Sequence, residues 1–99
     1  SSFATKARAD GNVILSIDRE YYHQVIKGPV AVVSVVNATS RKFRIVAVEC
    51  RWLKHGQAQA VETSVILNLQ PGQTSSTEVF HMEANFEYDN TSCRISKKF

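Results

Sequence analysis

From Val46 to Trp52 every second residue is apolar (Val46, Val48, Cys50 and Trp52), while Glu49 and Arg51 lie on the other face. A period of two marks a β-strand with one buried and one wetted face. This strand therefore points one of the chain's two cysteines inward. The other, Cys93, sits beside Ile95 in a second strand-like run. Two inward cysteines in a small extracytoplasmic domain are expected to pair. A Cys50–Cys93 disulfide would close a long loop, worth roughly 4 kcal/mol in the chain-entropy view. That contribution matters in a chain of 99 residues, whose core is modest. The bridge also implies an oxidising compartment, so the chain is read as periplasmic or secreted. There is no Cys-x-x-Cys, and no histidine lies within four residues of either cysteine. The spacing is not that of a metal site, and no metal or cofactor is expected.

The rest of the chain repeats the strand pattern between turn signals. Asn12–Ile17 is a short β-branched run. Val30–Asn37 carries apolar residues on both faces, as a central, covered strand does. Asn37-Ala-Thr-Ser40 supplies turn chemistry before the strand Phe43–Leu53. His55-Gly56-Gln57 closes a hairpin onto Ala58–Leu69, with Val61, Thr63, Val65, Leu67 and Leu69 on one side. Gln70-Pro71-Gly72-Gln73 has proline and glycine where a type II turn needs them. Thr74–Met82 follows, then a strand beginning at Asn85–Tyr88, and Ser92–Lys97 closes the chain. Asp18–Pro29 admits two readings. Asp18 would cap a helix with Tyr21, Tyr22, Val25 and Ile26 on one face, yet the same residue types favour a strand. The expected fold is all-β: an Ig-like two-sheet antiparallel sandwich of about seven strands, with one short helix near residues 19–27 as the open alternative. Residues 1–11 are read as a flexible N-terminal segment, and residues 12–99 as a single domain. The small, polar start without Met is read as a chain whose signal segment has been removed. The longest apolar run, Val30 to Val36, contains Ser34 and is far too short to span a bilayer, so no membrane insertion is expected.

The net charge is only +3, but it is unevenly spread. Arg41, Lys42, Arg44, Arg51 and Lys54 crowd one stretch against Glu49 alone, whereas His55 to Ser92 holds acidic residues and neither Lys nor Arg. Such polarity serves either cross-strand pairing or the steering of a partner. These five basic residues, with Tyr21 and Tyr22 as an aromatic pair, are the candidate partner-binding residues. No nucleic acid is expected, because aromatic and basic residues do not alternate as a stacking platform requires. His81 and Glu83 share a strand face and would make half a metal site, but a solvated pair is the default. His23 and His55 stand apart from them. Asn37-Ala-Thr39 and Asn90-Thr-Ser92 match the glycosylation acceptor pattern. No set of residues forms a recognisable catalytic constellation, so no catalytic residue is assigned.

The runs VAVVSVVNATSRKFRIVAVECRWLKHGQ and LNLQPGQTSSTEVF resemble bacterial Ig-like domains of the FxLYD type over Val30 to Phe80. The resemblance rests on Asn37, Gly56, Pro71, Gly72 and Phe80. It departs from the family where Trp52-Leu53-Lys54-His55 replaces the aromatic-Asp element before the hairpin glycine. It implies an extracytoplasmic sandwich with a binding or accessory role. The expected function is a non-enzymatic module that contacts a protein partner through sheet surface and hairpin tips. The alternative is a structural subunit of an envelope or secretion assembly that self-associates.

Overall fold

The computed structural model describes residues 7–99. They form seven strands: β1 (Ala7–Asp10), β2 (Val13–His23), β3 (Gly28–Asn37), β4 (Phe43–Lys54), β5 (Gln57–Leu69), β6 (Thr74–Phe80) and β7 (Asn90–Lys98). The strands make a two-sheet sandwich in the orders β1-β2-β3-β6 and β5-β4-β7, with every pairing antiparallel. The larger sheet is built on two hairpins of consecutive strands, β1–β2 and β2–β3, and the smaller on one, β4–β5. Each is completed by a strand that crosses over later, β6 in the larger and β7 in the smaller. No helix among the described residues is long and apolar enough to cross a membrane.

The inward rows follow the period of two. Val13, Leu15 and Ile17 of β2 and Ala31, Val33 and Val35 of β3 face Val46, Val48, Cys50 and Trp52 of β4. Trp52 is the largest fully buried side chain. Cys50 and Cys93 lie directly opposite each other on β4 and β7 and are bonded. The disulfide thus links neighbours within one sheet, whereas the antibody bridge joins two sheets.

The alternative helix at residues 19–27 is absent. Arg19 to His23 continue β2 and pair with β3, down to His23 opposite Gly28. Pairing wins because Gly28-Pro29 begins β3 instead of ending a helix. The reversal is a tight turn in which Lys27 N–H donates to the His23 carbonyl at 2.9 Å and Lys27 adopts φ 59°. Ala7–Asp10, assigned above to the N-terminal segment, forms β1; residues 1–6 lie outside the described residues. Asn85–Tyr88 is not a strand. It belongs to a loop from His81 to Asp89, tied by Glu83 N–H to the Lys27 carbonyl and Asp89 N–H to the Leu53 carbonyl. Phe86 and Tyr88 nevertheless share a side, stacked at 5.8 Å against the core edge. Leu69 also leaves the row of Val61, Thr63, Val65 and Leu67. Asn68 adopts φ 55°, which turns Leu69 into the core.

The turn between β5 and β6 forms as its residues require. Pro71 holds the first corner, Gly72 takes φ 77°, and Gln73 N–H donates to the Gln70 carbonyl at 3.0 Å. Asn37 anchors the same end of the sandwich. Its side chain is fully buried, and its amide donates to the carbonyls of Arg41 (2.7 Å) and Leu69 (3.2 Å). Its carbonyl accepts from Thr39 N–H (3.0 Å) and Thr39 Oγ1–H (2.6 Å). The amide is used up by the fold, so Asn37 is no glycan acceptor in the folded chain. Asn37→Ala leaves buried carbonyls without donors and is expected to cost about 2–3 kcal/mol in urea unfolding. Removing the bridge in the Cys50→Ala/Cys93→Ala variant, which frees a sequence separation of 43 residues, is expected to cost about 4 kcal/mol in the same measurement.

Candidate interaction surface

The outward face of the β5-β4-β7 sheet is built from the residues between the core positions. Cross-strand register sets them in rows: Leu67 beside Ile45, Val65 beside Ala47 and Lys97, Thr63 beside Glu49 and Arg94, and Val61 beside Arg51 and Ser92. Phe99 extends the Leu67 row. Its N–H donates to the Ile45 carbonyl at 2.9 Å, and its carbonyl accepts from Arg44 N–H at 2.7 Å. Two β4 residues therefore oppose one residue across the ladder, which is a bulge. The bulge sets Arg44 and Ile45 on the outer side and lets Phe43 return to the core, where it is 3% exposed. Leu67 is 63% exposed, Phe99 57%, Val65 52% and Val61 48%. One end of this face is thus an apolar patch, and the middle is charged.

Glu49 organises the charged part. One carboxylate oxygen accepts from Arg94 Nε–H at 2.8 Å and from Arg51 Nε–H at 3.4 Å. The Arg94 hydrogen bond is the strongest influence on Glu49. With the charges of Arg94 and Arg51 it outweighs partial burial, holding the carboxyl below its ordinary range.

The basic stretch does not form one patch. Arg41 and Lys42 lie in the turn before β4, where the Arg41 guanidinium stands 5.0 Å over the Phe43 ring. Lys54 is at the far end of β4, ion-paired with Glu87. Of the five, Arg44 and Arg51 share the outer face. Tyr21 belongs to the other sheet, with its hydroxyl 3.3 Å from Glu78 and Arg19 over its ring at 5.1 Å. Tyr22, next along β2, is 40% exposed. Arg94, supplied by β7, joins Arg51 through Glu49, a contact that spacing along the chain does not announce.

A second polar cluster closes the gap between edge strands β5 and β6. His81, just past β6, lies 2.8 Å from Glu62 through Nδ1 and 3.0 Å from Glu83 through Nε2. Its ring packs edge-on to Phe86 at 4.8 Å and lies 6.4 Å from Trp52. The half-site of His81 and Glu83 does acquire a third member in Glu62. Both ring nitrogens are taken by carboxylates, however, and this favours a doubly protonated imidazolium. Among the described residues no group of three or more His, Cys, Asp and Glu is arranged to hold a metal ion. Gly28 makes room for the segment: a Cβ there would lie 1.7 Å from the His81 carbonyl oxygen. His55 sits at the β4–β5 hairpin tip, where its backbone N–H donates to Asp89. His23 accepts from the N–H groups of Val25 and Ile26 and serves its own turn.

Comparison with family models, curated proteins and solved structures finds no match to this chain.

Burial alone favours a neutral His81 ring. The hydrogen bonds to Glu62 and Glu83, with their charges, outweigh it and raise the pKa above 6.5. The folded state therefore binds this proton more tightly than the unfolded chain. The stabilisation is complete below the ordinary imidazole value and disappears as pH rises through the raised one. As pH rises from the ordinary imidazole value of 6.5 through the raised one, wild-type stability is expected to fall relative to His81→Gln, whose unfolding profile lacks this component. Parallel profiles for the two proteins in urea unfolding would show that the cluster does not titrate.

Proposed function

We propose that the chain is a non-enzymatic binding module, working outside the cytoplasm, that contacts a protein partner through the outer face of the β5-β4-β7 sheet. The observation that carries this reading is the exposed apolar end of that face, Val65, Leu67 and Phe99 beside Arg44, followed along it by Arg94, Arg51 and Val61. Contiguous exposed apolar surface rimmed by polar residues marks interaction sites. Aromatic and arginine side chains supply much of the binding energy at such surfaces. The disulfide supports the compartment. The resemblance to extracytoplasmic FxLYD-type domains points the same way.

Self-association is the second reading, and β5 favours it. This strand is one edge of its sheet, and Glu62 is its one charged residue; that side chain is turned toward His81. An edge strand whose outward side chains carry no charge is open to pairing with another chain.

Capture from native extract tests the first reading. Val65→Lys/Leu67→Lys and Arg44→Glu/Arg51→Glu are each expected to lower recovery of the partner about tenfold or more. Their melting temperatures should stay within a few degrees of wild type, because the replaced side chains are exposed. Unchanged recovery by both variants would refute the reading. Light scattering on the purified protein decides the second reading: a dimer that Val65→Lys/Leu67→Lys dissociates would establish it.

A further inference from the structure

We propose that the corner where β1 meets the β7 edge binds a tetrahedral oxyanion, the phosphate or sulfate group of a larger ligand. Four side chains from both sheets converge there: Arg8, Arg51, Ser92 and Arg94. Arg8 pairs with Leu15, whose side chain is buried between the sheets. In register, Arg8 therefore lies on the side of β1 that faces the second sheet. Arg51 and Ser92 are direct cross-strand partners, and Arg94 is the next residue on that face of β7. Together they line a concavity of about 170 Å³. Liquid water takes about 30 Å³ per molecule, so the space accommodates a phosphate or sulfate group with part of its ester.

The chemistry of the lining is one-signed. Among the described residues three guanidiniums meet one carboxylate, Glu49, leaving an excess of two positive charges, the complement of a dianion. Glu49 engages both Arg51 and Arg94 through Nε. That contact fixes the two side chains by one edge and leaves their terminal nitrogens available. Planar guanidinium forks match the paired oxygens of phosphate and sulfate, where an ammonium offers only a point charge. The Ser92 hydroxyl adds a neutral donor. Among the described residues no carboxylate lines the concavity itself. The site shares Arg51 and Arg94 with the surface proposed above but does not involve its apolar residues, and its test uses no protein partner.

The test follows the arginine Nε–H and Ser92 amide signals by nitrogen-15 NMR at fixed ionic strength. Inorganic phosphate, sulfate, acetate and chloride are added separately. Saturating shifts at Arg51 and Arg94 with phosphate or sulfate, and none with acetate or chloride, are expected. Whichever dianion saturates at lower concentration identifies the ester. Arg8→Gln and Arg51→Lys are each expected to weaken binding about tenfold or more, the loss of one charge-assisted fork. Arg8→Gln leaves the Glu49 contacts untouched, so it separates loss of ligand from loss of structure. Equal, non-saturating shifts with chloride would overturn the proposal. So would saturation by acetate alone, or unchanged affinity in Arg8→Gln.

Discussion

β4 lies in the middle of a three-stranded sheet, so both of its backbone edges are paired and its inward side chains have no access to water. Val46, Val48, Cys50 and Trp52 are each fully buried. Covering that row is what requires a second sheet. Val13, Leu15, Ile17, Val33 and Val35 supply the cover, and Trp52 fills the centre of the core. The disulfide holds the register of the same strand: Cys50 faces Cys93, which sets Trp52 opposite Thr91 and Glu49 opposite Arg94. A slip of one residue would turn the row to solvent.

The sandwich closes differently at its two long edges. Between β5 and β6 the inward positions are largely polar. Ser64 meets Thr77 at 2.6 Å, and Glu62 meets His81 at 2.8 Å. Because β5 turns Glu62 and Ser64 inward, the same alternation turns Val61, Val65 and Leu67 outward. The exposed apolar row and the His81 cluster are thus two consequences of one register. At the other edge β1 brings Arg8 against β7, so like charges gather around Glu49. Hydrogen bonding satisfies the first edge, and among the described residues the second keeps an excess of positive charge.

Local pattern predicts some features well and others poorly, for identifiable reasons. The Pro71-Gly72 turn and the inward row of β4 are short-range properties, and the structure has both. The residues from Arg19 to Ile26 are ambiguous because tyrosine, valine and isoleucine suit either state; only the ladder to β3 decides for strand, as far as His23. Phe86 and Tyr88 alternate like a strand, yet no partner strand is there and their backbone bonds go to turns and to Leu53. Asn68 is of a type that tolerates positive φ, but the unbroken alternation before it hides that it will turn Leu69 inward. Among the basic residues, Arg51 belongs with Arg94 and Arg8, not with Arg41 or Lys54, because proximity in β-structure follows register.

By itself the sequence determined an all-β chain, its main strands, the hairpin and turn residues between β4, β5 and β6, and the two cysteines as a pair. These depend on side-chain period, backbone preference and redox chemistry, all properties of a few neighbouring residues. Only the tertiary structure decided which face of β5 meets water, that His81 stands between Glu62 and Glu83, and that three arginines from β1, β4 and β7 share one corner. Each of these depends on contacts between residues distant in the chain, and crossing connections and strand register alone bring such residues together.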